Sequence, residues 1–138
     1  NRRVTTVHSA PSLTNMQGDI LRFVNQYRNS QKLPPLNMDQ TAAVEALQHS
    51  RNMAVNKIPF GHSGFSSRVQ NVERRIGRIR AAAENVAYGK MTAREVVDGW
   101  IRSKTHRANL EGPFNFIGIG VARNSSGIIY YTQLFIEK

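Results

Sequence analysis

Three side chains with chemistry to offer sit in short, distinctive stretches: His62 in "GHSGF", Glu84 in "AENVAYG" and His106 in "SKTHRANL". Neutral imidazoles are good ligands for zinc or copper, and a carboxylate nearby can orient an imidazole or complete the ligand set. An ion held by two histidines keeps open positions, where it lowers the pKa of bound water or polarises a carbonyl. The residue types therefore suit a divalent metal. Their separation, 22 residues from each to the next, carries no information about proximity, so a shared site and three dispersed polar residues both stand. Ser63 beside His62 and Ser103 near His106 raise nucleophilic chemistry. Serines next to histidine in loops are usually turn or cap residues, so no catalytic residue is assigned. His49, inside an alanine-rich helical stretch, reads as a hydrogen-bonded packing residue.

Other chemistries are excluded by their missing spacing. The chain has no Walker loop, no dinucleotide fingerprint and no helical His-Glu-x-x-His. It also has no cysteine, which removes disulfides, thiolate metal sites and a cysteine nucleophile, and leaves the compartment to other arguments. At 138 residues a single domain is expected, burying roughly two-thirds of the surface its unfolded chain exposes. No apolar run approaches the roughly 20 residues needed to span a bilayer. Because the sequence starts at Asn1 rather than methionine, an upstream secretion signal or lipid anchor is expected to have been removed, and the location to be secreted, cell-surface or periplasmic.

The charge balance points to anionic partners. Nineteen Lys and Arg against nine Asp and Glu give a formal charge of +10, which favours phospholipid headgroups, acidic cell-envelope polymers or nucleic acid. Arg68, Arg74, Arg75, Arg78 and Arg80 crowd together with only Glu73 opposing them. This is either an anion-docking patch or a solvated helix face and loop. Nucleic-acid binding rests on charge alone, since only Phe65 and Tyr88 flank the arginine-rich stretch and a stacking platform needs more.

Positioning these residues falls to the following elements. Residues 1–13 show no sustained period and read as an arm or linker remnant, leaving 14–138 as the domain. Met16, Ile20, Phe23, Val24 and Tyr27 recur at helical spacing, predicting a first helix from Asn15 to about Asn29. Asn37, with Gln40 three residues on, predicts the cap of a second helix running to about Asn56. Ser66 or Ser67 is expected to cap a short helix through Arg75. "IRAAAENVAYG" reads as a strand closed by Gly89, and Thr92 with Glu95 forms a capping box ahead of Val96, Val97, Trp100 and Ile101. "FIGIGVAR" and "GIIYYTQLFIEK", joined by "NSSG", predict an antiparallel hairpin. Helices first and strands last predict an α+β domain in which a small antiparallel sheet is covered by helices.

The order "GHSGF", "ENVAYG", "AREVVDGWIRSKTHRANL", "IGIGVA" and "YYTQLF" resembles the CAP superfamily, or SCP/TAPS domain, in its compact bacterial form, from about Asn15 to Phe135. The resemblance implies a three-layer α-β-α sandwich with a central antiparallel sheet. It also implies a central cavity shared by His62, Glu84 and His106, with His62 and His106 able to hold Zn2+ or another divalent ion. Family members of the animal and plant kind carry a second glutamate three residues after the helix tryptophan; here Ser103 follows Trp100 at that distance. Glu95 could replace it only by turning inward, against its capping role. The absence of cysteine and the shortened segment between Trp100 and His106 separate this chain from the disulfide-bonded members.

Two functions follow as expectations. The first is an extracytoplasmic binding module with a His/Glu cavity and a basic surface for an anionic lipid or cell-envelope partner. The alternative is a metal-dependent peptidase or esterase that uses His62, Glu84 and His106.

Overall fold

The computed structural model describes residues 11–138, so the first ten residues of the expected arm lie outside it. Five helices and four strands follow in the order α1 (Met16–Ser30), β1 (Asn37–Met38), α2 (Gln40–Ala54), α3 (Phe65–Ile76), β2 (Ala81–Gly89), α4 (Ala93–Arg102), α5 (Lys104–Leu110), β3 (Phe116–Arg123) and β4 (Ile129–Glu137). The strands form one sheet in the order β1-β3-β4-β2. β3 pairs antiparallel with β4, and β4 antiparallel with β2. The expected antiparallel sheet is thus extended by one parallel pair, β1 on β3. β1 is only two residues long because Asp39 immediately starts α2, its side chain accepting from the Ala42 N–H. Asn37 therefore lies in a strand, and the cap falls two residues later than expected. The capping box at Thr92 and Glu95 forms with both of its bonds, while α3 starts behind Gly64 in a left-handed conformation (φ 83°) rather than behind a serine.

Strand alternation sorts the sheet into two faces. Ile117, Ile119, Ile129, Tyr131 and Phe135 pack on one face against α1 and α4, with Ile20, Val24, Val96 and Trp100 among the facing side chains. Leu134 and Ile136 on the other face meet Ala42 and Ala46 of α2 and Val72 of α3. The result is the α-β-α sandwich. Among the described residues no helix is long and apolar enough to cross a membrane.

How close α2 lies to the sheet depends on two glycines. A Cβ at Gly118 would stand 2.1 Å from the backbone carbonyl carbon of Ala42, and one at Gly120 2.1 Å from the Leu47 nitrogen. No ordinary contact is that short, so α2 rests directly on the backbone of β3. This contact brings Ser50 Oγ within 2.9 Å of the Gly120 carbonyl and 2.8 Å of Thr132 Oγ1, and it sets the height from which α2 reaches the site. Gly120→Ala is expected to cost at least about 3 kcal/mol, the upper end for overpacking a core, read as a lower midpoint of chemical denaturation. Gly18→Ala, with nothing within 4 Å, should instead be stabilising by up to about 1 kcal/mol. An unchanged midpoint for Gly120→Ala would show that α2 is free to lift from the sheet.

Candidate functional site

The site is built on β2, at the edge of the sheet. Glu84 emerges from β2 on the α2–α3 side, and only 1% of its side chain is exposed. A carboxylate taken out of water costs several kcal/mol unless it is paired and hydrogen-bonded. Arg68, on the first turn of α3, supplies that pairing. Its Nε lies 2.8 Å from Glu84 Oε2 and its Nη2 2.7 Å from Oε1. The same guanidinium donates to the Ser63 carbonyl at 2.8 Å and to the His62 carbonyl at 3.3 Å. Arg68 thus ties β2, α3 and the "GHSGF" loop together.

His62 completes the group. Its Nδ1 lies 2.9 Å from Glu84 Oε1, and a carboxylate paired with arginine only accepts, so Nδ1–H donates and, in the neutral ring, the lone pair is on Nε2. The ring is half-exposed and lines a recess of about 220 Å³ together with Phe65, Ala82, Ala83 and Glu84.

Underneath the loop, His49 of α2 is 2% exposed, and its Nε2–H donates to the Gly61 carbonyl at 2.7 Å. The packing role read from sequence is the role it has, with the addition that it pins the residue before His62. Its Nδ1 is buried without a partner. Burial holds the His49 pKa below its ordinary 6.5, and the charges of Arg68 and His62 add to this against Glu84 and the Gly61 hydrogen bond.

His106 reaches the same strand from the other layer. Asn85 Nδ2 donates to the His106 carbonyl at 3.1 Å, and Asn109 Nδ2 to the Glu84 carbonyl at 3.3 Å and to Asn85 Oδ1 at 2.9 Å. These bonds hook α5 onto the edge of β2 beside Glu84. The His106 ring turns to its own neighbour: Nδ1 lies 2.7 Å from Ser103 Oγ. Desolvation lowers its pKa, and the nearby charge of His62 acts in the same sense.

The expected site residues therefore fall into two pairs. His62 and Glu84 are in contact, as are Ser103 and His106, and α5 carries the second pair up to the strand that holds the first. Glu95 stays outside, its carboxylate accepting from the Thr92 N–H in an exposed cap. Arg68 requires a correction. Grouped by sequence with the anion-docking arginines, it is buried against Glu84, whereas Arg74, Arg75, Arg78 and Arg80 are exposed. Sequence reasoning also passed over Asn85 and Asn109. A polar residue directly after Glu84 on a strand, and "RANL" one turn after His106, were the available signals.

Both oxygens of Glu84 are already engaged by Arg68, whose positive charge opposes a dication. Among the described residues no three His, Asp or Glu side chains are grouped so as to hold an ion. A centre using Glu84 as a ligand does not fit this geometry.

With the sheet, the edge-strand glutamate and its histidine in place, the comparisons decide the family. The model of the cysteine-rich secretory protein (CAP) family matches residues 21–135. The chain belongs to the CAP family. It is 34% identical to the uncharacterized protein YkwD of Bacillus subtilis (strain 168), over 99% of this chain and 53% of that protein, so the chain spans about half the length of that relative. An SCP-domain extracellular protein from Bacillus anthracis superposes with a TM-score of 0.73 at 30% identity, over 94% of this chain and 45% of that one. An outer surface protein from Borrelia burgdorferi gives 0.80 at 18% identity, over 94% and 97%, a likeness of fold. This CAP domain reaches that fold without any cysteine.

Two outcomes test the site. Arg68→Met should destabilise the domain by about 3–5 kcal/mol by leaving Glu84 buried and unpaired. Adding Glu84→Gln should recover part of that loss in the same denaturation assay, and no recovery would mean that Arg68 acts through packing alone. The second outcome concerns pH. Because the folded state holds His49 below about 6.5, the unfolded chain binds the proton more readily. The penalty is absent above that pH, grows as pH falls through it, and levels off below the folded value. Stability measured from pH 8 to 4 should therefore decline on the acid side, and His49→Gln should flatten part of that decline. An unchanged slope in the variant would assign it elsewhere.

Proposed function

We propose that this CAP domain is an extracytoplasmic binding module whose exposed basic surface meets an anionic lipid or cell-envelope polymer. The observation that carries this reading is the state of its arginines. Among the described residues the Lys and Arg ion pairs are Arg22 with Asp19 and Arg68 with Glu84, so Arg74, Arg75, Arg78 and Arg80 present their charge without a carboxylate partner. Arg74 bonds to the neutral Asn71 instead. An extracellular location is supported by the similar SCP-domain protein from Bacillus anthracis, which is extracellular.

In this reading the His62–Glu84–Arg68 group is a polar brace at one end of a recess. For a divalent ion such as Zn2+ it leaves the imidazoles of His62 and His106 and no carboxylate, which supports at most a loosely held ion. A metal-dependent hydrolase is the second reading. The feature favouring it is the His62 ring itself, oriented by a carboxylate and half-exposed with Nε2 free, as a general base must be.

Co-sedimentation with vesicles containing phosphatidylglycerol, and with a glycerol-phosphate polymer, tests the first reading. Binding should be strong at low salt, fall steeply towards 0.5 M salt as the screening length shortens to about 4 Å, and drop in the variant with all four exposed arginines changed to Gln. Absence of both interactions at low salt would remove it. Turnover of an ester or peptide that is lost on chelation and in His62→Ala would establish the second.

A further inference from the structure

β2 is the outer strand of the sheet on its side, and its exposed edge is only partly guarded. The parity of its hydrogen bonds shows which groups face outward. The Glu84 carbonyl accepts from Asn109 Nδ2 and the Val86 carbonyl from Trp100 Nε1, both at 3.3 Å. Even-numbered residues therefore turn their backbone groups to the edge, and α4 and α5 cover the strand from Glu84 onward. At the other end, Arg80 turns its N–H inward to the Glu137 carbonyl at 2.8 Å, beside the Ala81–Glu137 pair, which closes the ladder in a bulge. Between these two covers lies Ala82. Its N–H and C=O share the outward parity, and among the described residues no side chain reaches them.

Such an edge is normally blunted by lysine, proline or an overlying element. Here it is "AAA", Ala81 to Ala83, and beside it runs a trough floored by Phe65, Val69 and Ile79. Two recesses, of about 350 and 220 Å³, meet along it at Phe65 and Ala82. The trough ends at His62 and Glu84 on one side and at Arg80 on the other. Glu84 is neutralised by Arg68, so the net charge offered to an occupant is positive, as is the whole chain at +10.

We propose that the open stretch of β2 from Ala81 to Glu84 takes an extended acidic peptide as an added strand, its backbone pairing with Ala82. Alternate side chains would enter the apolar trough, and acidic ones would meet Arg80 and Arg78. This is strand addition, in which the main chain supplies affinity and alternate pockets supply selectivity. The open stretch is about 13 Å long at 3.3 Å per residue, matching a segment of four residues. A second copy of the chain is disfavoured by its equal charge. The pairing with Ala82 does not depend on lipid or polymer binding, since it needs the backbone edge of β2, while Arg78 and Arg80 are common to both surfaces.

The test uses the whole chain, isotope-labelled for NMR, and the acetylated, amidated hexapeptide Glu-Val-Glu-Val-Glu-Val. Three controls accompany it: the same peptide N-methylated at alternate amides in either phase, and a Lys-Val version. The expected result is saturable shifts confined to residues 78–84 and the trough residues Phe65 and Val69, and at least tenfold slower exchange of the Ala82 amide. N-methylation in one phase should abolish binding, and the Lys-Val peptide should not bind. Ala82→Pro, which removes an outward N–H at an edge position that tolerates proline, should weaken binding about tenfold. The N-methylated peptides give the same answer with the protein untouched should that variant fail to fold. Equal binding of all methylated and unmethylated acidic peptides would reduce the effect to charge adsorption and overturn the proposal. Absence of shifts at 1 mM peptide would overturn it too, and so would Ala82 protection that rises with protein concentration alone, which would make the occupant a second copy.

Discussion

The buried ion pair between Arg68 and Glu84 is the interaction on which the site depends. A carboxylate with 1% of its side chain exposed, on the outer strand of a sheet, persists only because a guanidinium answers both of its oxygens. That guanidinium is not idle on its other side. By donating also to the carbonyls of His62 and Ser63, it fixes the loop that bears the histidine, while the carboxylate fixes the ring. Strand, helix, loop and imidazole orientation thus share one charge-assisted network, of the kind that is worth more than its separate bonds when every member is satisfied.

The network needs α2 and α3 at a set distance from the sheet, which the packing provides. Gly118 and Gly120 let α2 descend onto β3, and the alanines at 42 and 46 keep the interface thin. From that height His49 reaches the Gly61 carbonyl from below while Arg68 holds the next two carbonyls from the side. The second layer is joined differently. Asn85 and Asn109 knit α5 to β2 through neutral amides, so His106 arrives beside Glu84 without bonding to it. On the α2–α3 face the site is held by charge, and on the α5 face by amide hydrogen bonds.

The difference between what was legible in the sequence and what was not follows the range of the interaction. Local signals worked: the Thr92–Glu95 capping box, the helical period from Met16 to Tyr27 and the β-branched hairpin all appear as read. Asn37 failed as a cap because pairing with Phe116, 79 residues on, took it into a strand. No local rule weighs a contact so distant. Arg68 failed for a similar reason. As one of five arginines in a short stretch it looked like solvated charge, and only the register that brings Glu84 of β2 opposite the first turn of α3 makes it a core residue. The ordered motifs grouped His62 with Glu84 through family resemblance, which their spacing alone did not provide, and those two are in contact while His106 pairs with Ser103.

The same pairing supports the proposed binding role. A carboxylate that serves as a metal ligand must offer a lone pair and negative charge, and Glu84 has committed both to Arg68. Ser103, at the junction of α4 and α5, adds no carboxylate, and Glu95 of α4 is held in its cap by the Thr92 N–H. The result is a recess with a neutralised floor, a free imidazole nitrogen at its end and positive charge at its mouth. A ligand that brings its own negative charge and its own backbone hydrogen bonds would find both answered in the ground state, which is what a binding surface requires.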